Sequence, residues 1–311
     1  MPAPLREAPP LKARTIVLLA VASALALSTI QAADPPDEGG SGLASLDTQL
    51  RSSALAGTEK PVSDWSDFLT TARSIGSQIA HPTHGQMFAY GGLAIGAIYL
   101  QDRKYGLASE FQEQRSPGTD RLASIGRPLG VAIVPVAAVA TYLIGRATGS
   151  SGVRRDGLML SESAFFTFAA TEIGQHIFAE KRPDSGGKLH YFRGGGHGVS
   201  GHTSIVASMS VPIDRMFLTL RPGDGAGLKT AKIIGKAFAY GLPVLTGWSR
   251  MNDNQHFAWN VLLGLGTGWI TGDMVMRAHA PRTSEGRERS WSLVPVTNDR
   301  GDPGIGIRWT R

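Results

Sequence analysis

At 311 residues the chain is long enough to bury a sizeable core, as one large domain or two small ones. It contains no cysteine, which excludes disulfides and thiolate metal sites. A formal charge of +6 fits an anionic partner, whether a phosphate, a membrane surface or a nucleic acid. No aromatic-and-basic nucleic-acid module is present and many of the charges lie in polar tails, so no nucleic-acid partner is expected.

The chain opens with Arg6, Lys12 and Arg14, an uncharged apolar run from Thr15 to Ile30, and Gln31-Ala32-Ala33 before Asp34. This is the pattern of a secretory signal peptide over 1–32, and the run is short for a spanning helix, which favours a cleaved leader over an uncleaved anchor. Residues 33–64 carry prolines, Gly39, Gly40 and scattered serines without sustained periodicity, and read as a flexible linker.

From Trp65 onward apolar segments recur at Phe68–Ala80, Met87–Leu100, Leu122–Ile144, Leu158–Ala179, Thr203–Leu220, Ala231–Leu245 and Phe257–Met276. Their lengths and the lack of regular alternation predict helices, hence an all-α bundle of about six to seven helices over 65–281. Ser116-Pro117-Gly118, Gly149-Ser150-Ser151-Gly152 and Arg221-Pro222-Gly223-Asp224-Gly225 supply turn chemistry between them. Leu129–Gly145 and Phe257–Gly272 are uncharged and long enough for a bilayer. Against that, Leu158–Ala179 carries Glu162, Glu172, Gln175 and His176, and Thr203–Leu220 carries Asp214 and Arg215. The balance favours a periplasmic or peripheral globular bundle over a polytopic one. In the tail, 282–311, Ser290–Val296 and Gly304–Trp309 flank a turn-rich Asn298–Pro303 and predict a short β-hairpin.

The chemistry gathers between Gln175 and His202 and again at Ser249-Arg250 and His256. Gln175 and Arg182 stand seven residues apart in a helical pattern, so they are expected on one face, with Pro183 biasing Arg182 out of the helix. Gly194, Gly195, Gly196, Gly198 and Gly201 permit tight bends and close approach to a ligand. Gly201-His202 then open an apolar segment whose N-terminus would hold an anion through free N–H groups and the helix dipole.

Three blocks carry a resemblance: Gln175, six residues, Arg182-Pro183; Val199-Ser200-Gly201-His202; and Ser249-Arg250, five residues, His256, three residues, Asn260. In order and spacing they resemble the type 2 phosphatidic acid phosphatase and haloperoxidase superfamily, over about Trp65 to Ala280. Three positions depart from that family's pattern: Gln175 stands for lysine, Val199 for proline and Asn260 for aspartate. The resemblance implies a metal-independent phosphatase acting on a phosphate ester or pyrophosphate, lipid or soluble, through a phosphohistidine. His256 would be the nucleophile and His202 the general acid and then base. Arg182 and Arg250 would clamp the phosphoryl oxygens, with Ser200 and the Gly201 amide adding hydrogen bonds. Gln175 would donate a hydrogen bond without bringing charge, and Asn260, four residues after His256, would orient its ring through the amide oxygen.

No cofactor is implied, the partner is a phosphorylated small molecule or lipid, membrane association stays open, and the site would face outward from the cytoplasmic membrane. His190, His197 and His202 fit no helical metal-ligand spacing and have no acidic residue fixed nearby, so no metal is expected. His81, His84, His176 and His279 read as structural or exposed. The alternatives are a phosphate- or lipid-binding relative impaired by Gln175 and Asn260, and a haloperoxidase with vanadate on His256.

Overall fold

A computed structural model describes residues 64–280, 290–297 and 303–310. The expected signal peptide and linker lie outside the described residues, except for Asp64. Helix α1, Asp64–Ala80, starts with Asp64 and Asp67 at the positive end of its dipole. Helix α2, His84–Asp102, is capped reciprocally: Gln86 N donates to Thr83 Oγ1 at 3.3 Å and Thr83 N to Gln86 Oε1 at 2.9 Å. Then come α3, Lys104–Glu113, and α4, Pro117–Pro128, whose N-cap Ser116 accepts from Thr119 N. A π-helical turn, Leu129–Ile133, leads into α5, Val134–Ala147. Pro128 and Pro135 lack the N–H that would continue a regular ladder, so the helix expected over Leu122–Ile144 is divided here.

The long α6, Ser151–Ile177, packs along α5 through glycines. A Cβ on Gly157 would lie 2.2 Å from Tyr142 N, and one on Gly145 2.2 Å from Arg154 N. Helix α6 ends earlier than the apolar pattern suggests. Residues Phe178–Glu180 form β1 and pair antiparallel with β2, Leu189–Tyr191. Gln175 and Arg182 therefore do not share a helical face. Arg182 is extended, with φ −61° and ψ 157°, as a residue before proline prefers, and it enters the turn between the two strands.

The segment expected as one helix over Thr203–Leu220 is also divided, into α7, Gly201–Ser208, α8, Ser210–Ile213, and a π-helical turn, Asp214–Leu218. Helix α9, Ala226–Asn252, runs through the buried Pro243, and α10, Ala258–Ala278, completes the bundle. The C-terminal hairpin is present as β3, Ser290–Thr297, paired antiparallel with β4, Pro303–Thr310. The fold is all-α apart from these two small hairpins.

Two apolar clusters knit the bundle. Ile75 of α1 meets Met274 and Val275 of α10, backed by Tyr90 and Phe166. Ala97 of α2 meets Phe257 and Trp259, backed by Leu100 and Phe178. Helix α10 also turns a row of glycines toward α7: Cβ atoms on Gly264, Gly268 and Gly272 would lie 2.7, 2.3 and 2.7 Å from the carbonyl oxygens of Ser200, Ser204 and Ser208. The spacing of four residues keeps this row on one helical face, so the two backbones approach closely along the whole of α7. Outer faces are different. Phe88, Ile95 and Ile98 on α2, and Val136, Leu143 and Ile144 on α5, are exposed. Among the described residues no helix is long and apolar enough to cross a membrane.

Candidate phosphate-binding site

The loop after β2 is pressed onto β1. His197 N donates to Glu180 O at 2.8 Å and Gly198 N to Phe178 O at 3.0 Å. A Cβ on Gly196 would lie 2.1 Å from Ala179 Cα, and one on Gly198 2.2 Å from Phe178 O, so only glycine admits this approach. The loop's last residues, Val199 and Ser200, are buried and deliver α7 with His202 in its first turn. On the other side, α9 ends at Asn252 and Asn254 takes a left-handed φ of 57°, a conformation asparagine tolerates well. That tight turn brings Arg250, in the last turn of α9, and His256, just before α10, into one site.

Arg182, His202, Arg250 and His256 converge there. Burial, then Arg250, then Arg182 lower the pKa of His202 to about 4. Burial, then Arg250 and His197, hold His256 well below the ordinary histidine value. Both rings are therefore neutral at neutral pH. His256 is 6 % exposed, and its Nδ1 lies 3.2 Å from the carbonyl oxygen of His197. A carbonyl only accepts, so Nδ1 carries the proton and Nε2 keeps its lone pair.

The arginines have donors to spare. Arg182 Nη1 donates to Gln255 Oε1, yet its Nε is buried without a partner. Arg250 is 8 % exposed, its Nη1 stands 3.6 Å from Asp253 Oδ2, and its Nε is likewise buried and unpartnered. Asp253 is held more closely by Arg127, whose Nε and Nη2 reach its two oxygens at 2.6 and 2.7 Å. Buried unpaired donors are costly, and two guanidinium groups that carry them near neutral imidazoles are chemically suited to an acceptor-rich anion.

The other expected site residues are present in different roles. Ser200 is fully buried, and its hydroxyl shares a hydrogen bond with Thr203 Oγ1 at 2.9 Å, while its N–H donates to Asn260 O at 3.0 Å. Gly201 is the first residue of α7, within reach of Gln175. Gln175 Nε2 donates to Val199 O at 2.9 Å and so braces the loop from α6. The expected contact from Asn260 to the His256 ring is not the one formed. Asn260 Oδ1 accepts from Phe257 N at 2.9 Å, and Nδ2 donates to Glu180 Oε2 at 2.8 Å and Gly198 O at 3.1 Å. Its oxygen faces a backbone donor at the start of α10, so the His197 carbonyl takes the place beside the ring.

Glu180 anchors this arrangement. Its side chain is fully buried, and Oε1 accepts from Lys104 Nζ at 2.6 Å. Lys104 also donates to Gly187 O at 2.9 Å. Burial pushes the Glu180 carboxyl up, while Lys104 and Asn260 pull it back down. Sequence reasoning did not find Lys104, Glu180, Arg127, Asp253 or the His197 carbonyl. Asp253 and Gln255 had one signal, their position between Arg250 and His256. Among the described residues no group of three or more His, Asp and Glu side chains is placed to hold a metal ion.

The family model described as PAP2 superfamily matches residues 161–284, which contain every one of the eight expected site residues. No curated protein and no solved structure matches the chain.

Proposed function

We propose, from the premise that residues 161–284 belong to the PAP2 superfamily, that the protein is a phosphatase that transfers a phosphoryl group to His256 and then to water. Membership supports phosphatase-type activity in general. The observation that carries the finer reading is the His256 ring: its Nδ1–H is engaged by the His197 carbonyl, leaving Nε2 unprotonated beside two arginines with unpartnered buried donors.

In the first step Nε2 of His256 bonds to phosphorus as the ester P–O bond breaks, and the leaving oxygen takes a proton from His202. Arg182, Arg250 and the N-terminus of α7 hold the phosphoryl oxygens as charge redistributes. In the second step water attacks phosphorus, its proton returns to His202, and the P–N bond breaks to release inorganic phosphate. The low pKa of His202 arises partly from the two arginines, so a bound phosphate dianion, which offsets their charge, raises it toward the range where the ring can donate. The leader-like charge pattern of residues 1–32 supports export, which mass spectrometry of the mature N-terminus would check.

The test is turnover of a chromogenic phosphate monoester by the purified protein in EDTA, with and without vanadate, alongside His256→Ala. Activity that persists in EDTA, is inhibited by vanadate and falls by roughly 10⁴-fold or more in a folded His256→Ala protein is the expected result. Loss in EDTA with recovery on adding zinc, or near-normal turnover by His256→Ala, would overturn the reading.

A further inference from the structure

Beside the phosphate clamp lies an open cavity of about 570 Å³, with Arg182 and His197 in its wall and Lys181, His190 and Arg193 beyond them. Its charge is unbalanced. Among the described residues neither Lys181 nor Arg193, nor the neighbouring Lys188, has a carboxylate partner. Glu180 contributes to the same wall, but one of its oxygens is taken by Lys104 and the other by Asn260, and its side chain is fully buried. The nearby Asp184 is exposed and accepts from Ser185 Oγ at 2.8 Å and from Gln255 Nε2 at 3.3 Å. The glycine turn that closes the cavity adds donors: no acceptor is found among the described residues for the N–H groups of Gly194, Gly195 and Gly196. Gly194 and Gly195 hold left-handed φ values of 67° and 65°, which fixes the turn in a shape other residues rarely adopt.

We propose that this cavity is a second anion subsite, in which Lys181, Arg193 and the Gly194–Gly196 amides receive a further phosphoryl group of the substrate while Arg182 and Arg250 hold the one transferred. The proposal rests on the phosphatase reading and narrows it: of the phosphate esters and pyrophosphates expected from the sequence, it favours those with a second phosphoryl group, contiguous or separated by a short spacer, and names the residues that receive that group. The pKa of His190 is lowered first by partial burial and then by Arg193, Lys188 and Lys181, so these cations reach the same stretch of the wall. Inorganic phosphate fills only the clamp, whereas a two-headed anion reaches both places, and the second head then binds at high effective concentration.

The experiment compares binding of inorganic phosphate, imidodiphosphate and 1,3-propanediphosphonate to the full chain by calorimetry at fixed ionic strength. The wild type, Arg182→Ala, Lys181→Ala/Arg193→Ala, and a control that removes the same charge at exposed positions, Arg221→Ala/Lys229→Ala, are measured together. At least one two-headed ligand is expected to bind about 10-fold or more tightly than phosphate. That preference should vanish in Lys181→Ala/Arg193→Ala and persist in the control, with phosphate affinity little changed in both. The favoured ligand then tells a contiguous diphosphate from a spaced bisphosphate. If phosphate binds, and is lost in Arg182→Ala, while neither two-headed ligand binds more tightly, the subsite is refuted and the clamp stands. A preference that survives in Lys181→Ala/Arg193→Ala, or disappears equally in the control, also refutes it. Wild-type protein that binds no phosphate at all removes the clamp and the subsite together.

Discussion

The seam between α10 and α7 and the outer faces of α2 and α5 are built on different principles. Toward α7, helix α10 presents Gly264, Gly268 and Gly272, and the groups buried there and around the adjoining site include the polar Ser200, Thr203, Ser204, Asn260 and His256 beside apolar ones such as Val206 and Ala207. The outer helices instead leave large apolar side chains uncovered, with Phe88 of α2 at 82 % exposure. An exposed apolar side chain makes few contacts that fix its position, whereas polar groups buried in hydrogen bonds hold only at particular distances and angles. The chain thus spends its directional contacts where the position of a histidine matters, and its outer helices carry fewer constraints.

The largest break in that comparison should come from Asn260→Asp. A carboxylate here would face Glu180 at the present 2.8 Å contact and would lose the donor that Gly198 O now receives. Two buried carboxylates cannot both ionise cheaply beside a single lysine. The expected loss is about 3 kcal/mol or more of stability, growing from pH 5 to pH 8 as the pair charges, together with lower turnover. Restoring one neutral donor with Glu180→Gln should recover part of both in the double variant, and chemical denaturation with steady-state kinetics would read it. Higher turnover from Asn260→Asp at an unchanged melting temperature would mean that the carboxamide serves the His256 ring after all.

Gly268→Ala tests the other half of the polar side, where a Cβ would lie 2.3 Å from Ser204 O and 2.6 Å from Ala207 Cβ. Helix backbones cannot yield as a flexible side chain does, so about 1–3 kcal/mol of stability should be lost, and turnover should fall because α7 carries His202. Stability lost without any change in turnover would separate the glycine row from the site.

Acid should loosen the site before the rest of the molecule. His202 is depressed to about 4, below its unfolded value near 6.5, so the unfolded chain binds the extra proton between these limits. Its contribution to stability is full above about pH 6.5 and disappears as pH falls toward about 4. The shift in His256 has the same sign. Saturating phosphate should flatten this dependence, and the alkaline limb of kcat should lie at higher pH than that of kcat/KM, since the bound dianion raises His202. Identical limbs would show that the anion does not sense that ring. The smallest effect is expected on the outer face, where Phe88→Ser should change stability by no more than about 0.5 kcal/mol. A loss of several kcal/mol would reveal a packing partner for Phe88.

The helices were legible in the sequence because apolar periods depend on local spacing. Arg182, His202, Arg250 and His256 were singled out by the order and internal spacing of three short blocks, but that these blocks would share one site was implied by the resemblance, since local spacing says nothing of how distant blocks meet. What escaped has physical reasons. Strands of three residues, such as Phe178–Glu180, are too short for a period to register, so α6 reads as longer than it is. The acceptor for His256 is a backbone carbonyl, which any residue type at position 197 would supply. The partner of Asn260 is Glu180, 80 residues away, and its choice between ring and carboxylate depends on how β1 lies against α10. The helix break at Met209 has no glycine or proline at the break itself to announce it, although Pro212 follows in α8.

Asp253 has a consequence for how an anion arrives. The carboxylate is gripped by Arg127 through two short bonds and only loosely touched by Arg250 at 3.6 Å. When a phosphoryl group draws Arg250 toward itself, Asp253 keeps its tighter partner and is never left as a stranded charge. Arg250 can therefore trade one negative neighbour for another, as a dancer changes hands in a line that stays joined. Arg127 makes that exchange inexpensive, and an Arg127→Met protein should bind phosphate more weakly although residue 127 need never touch the ligand.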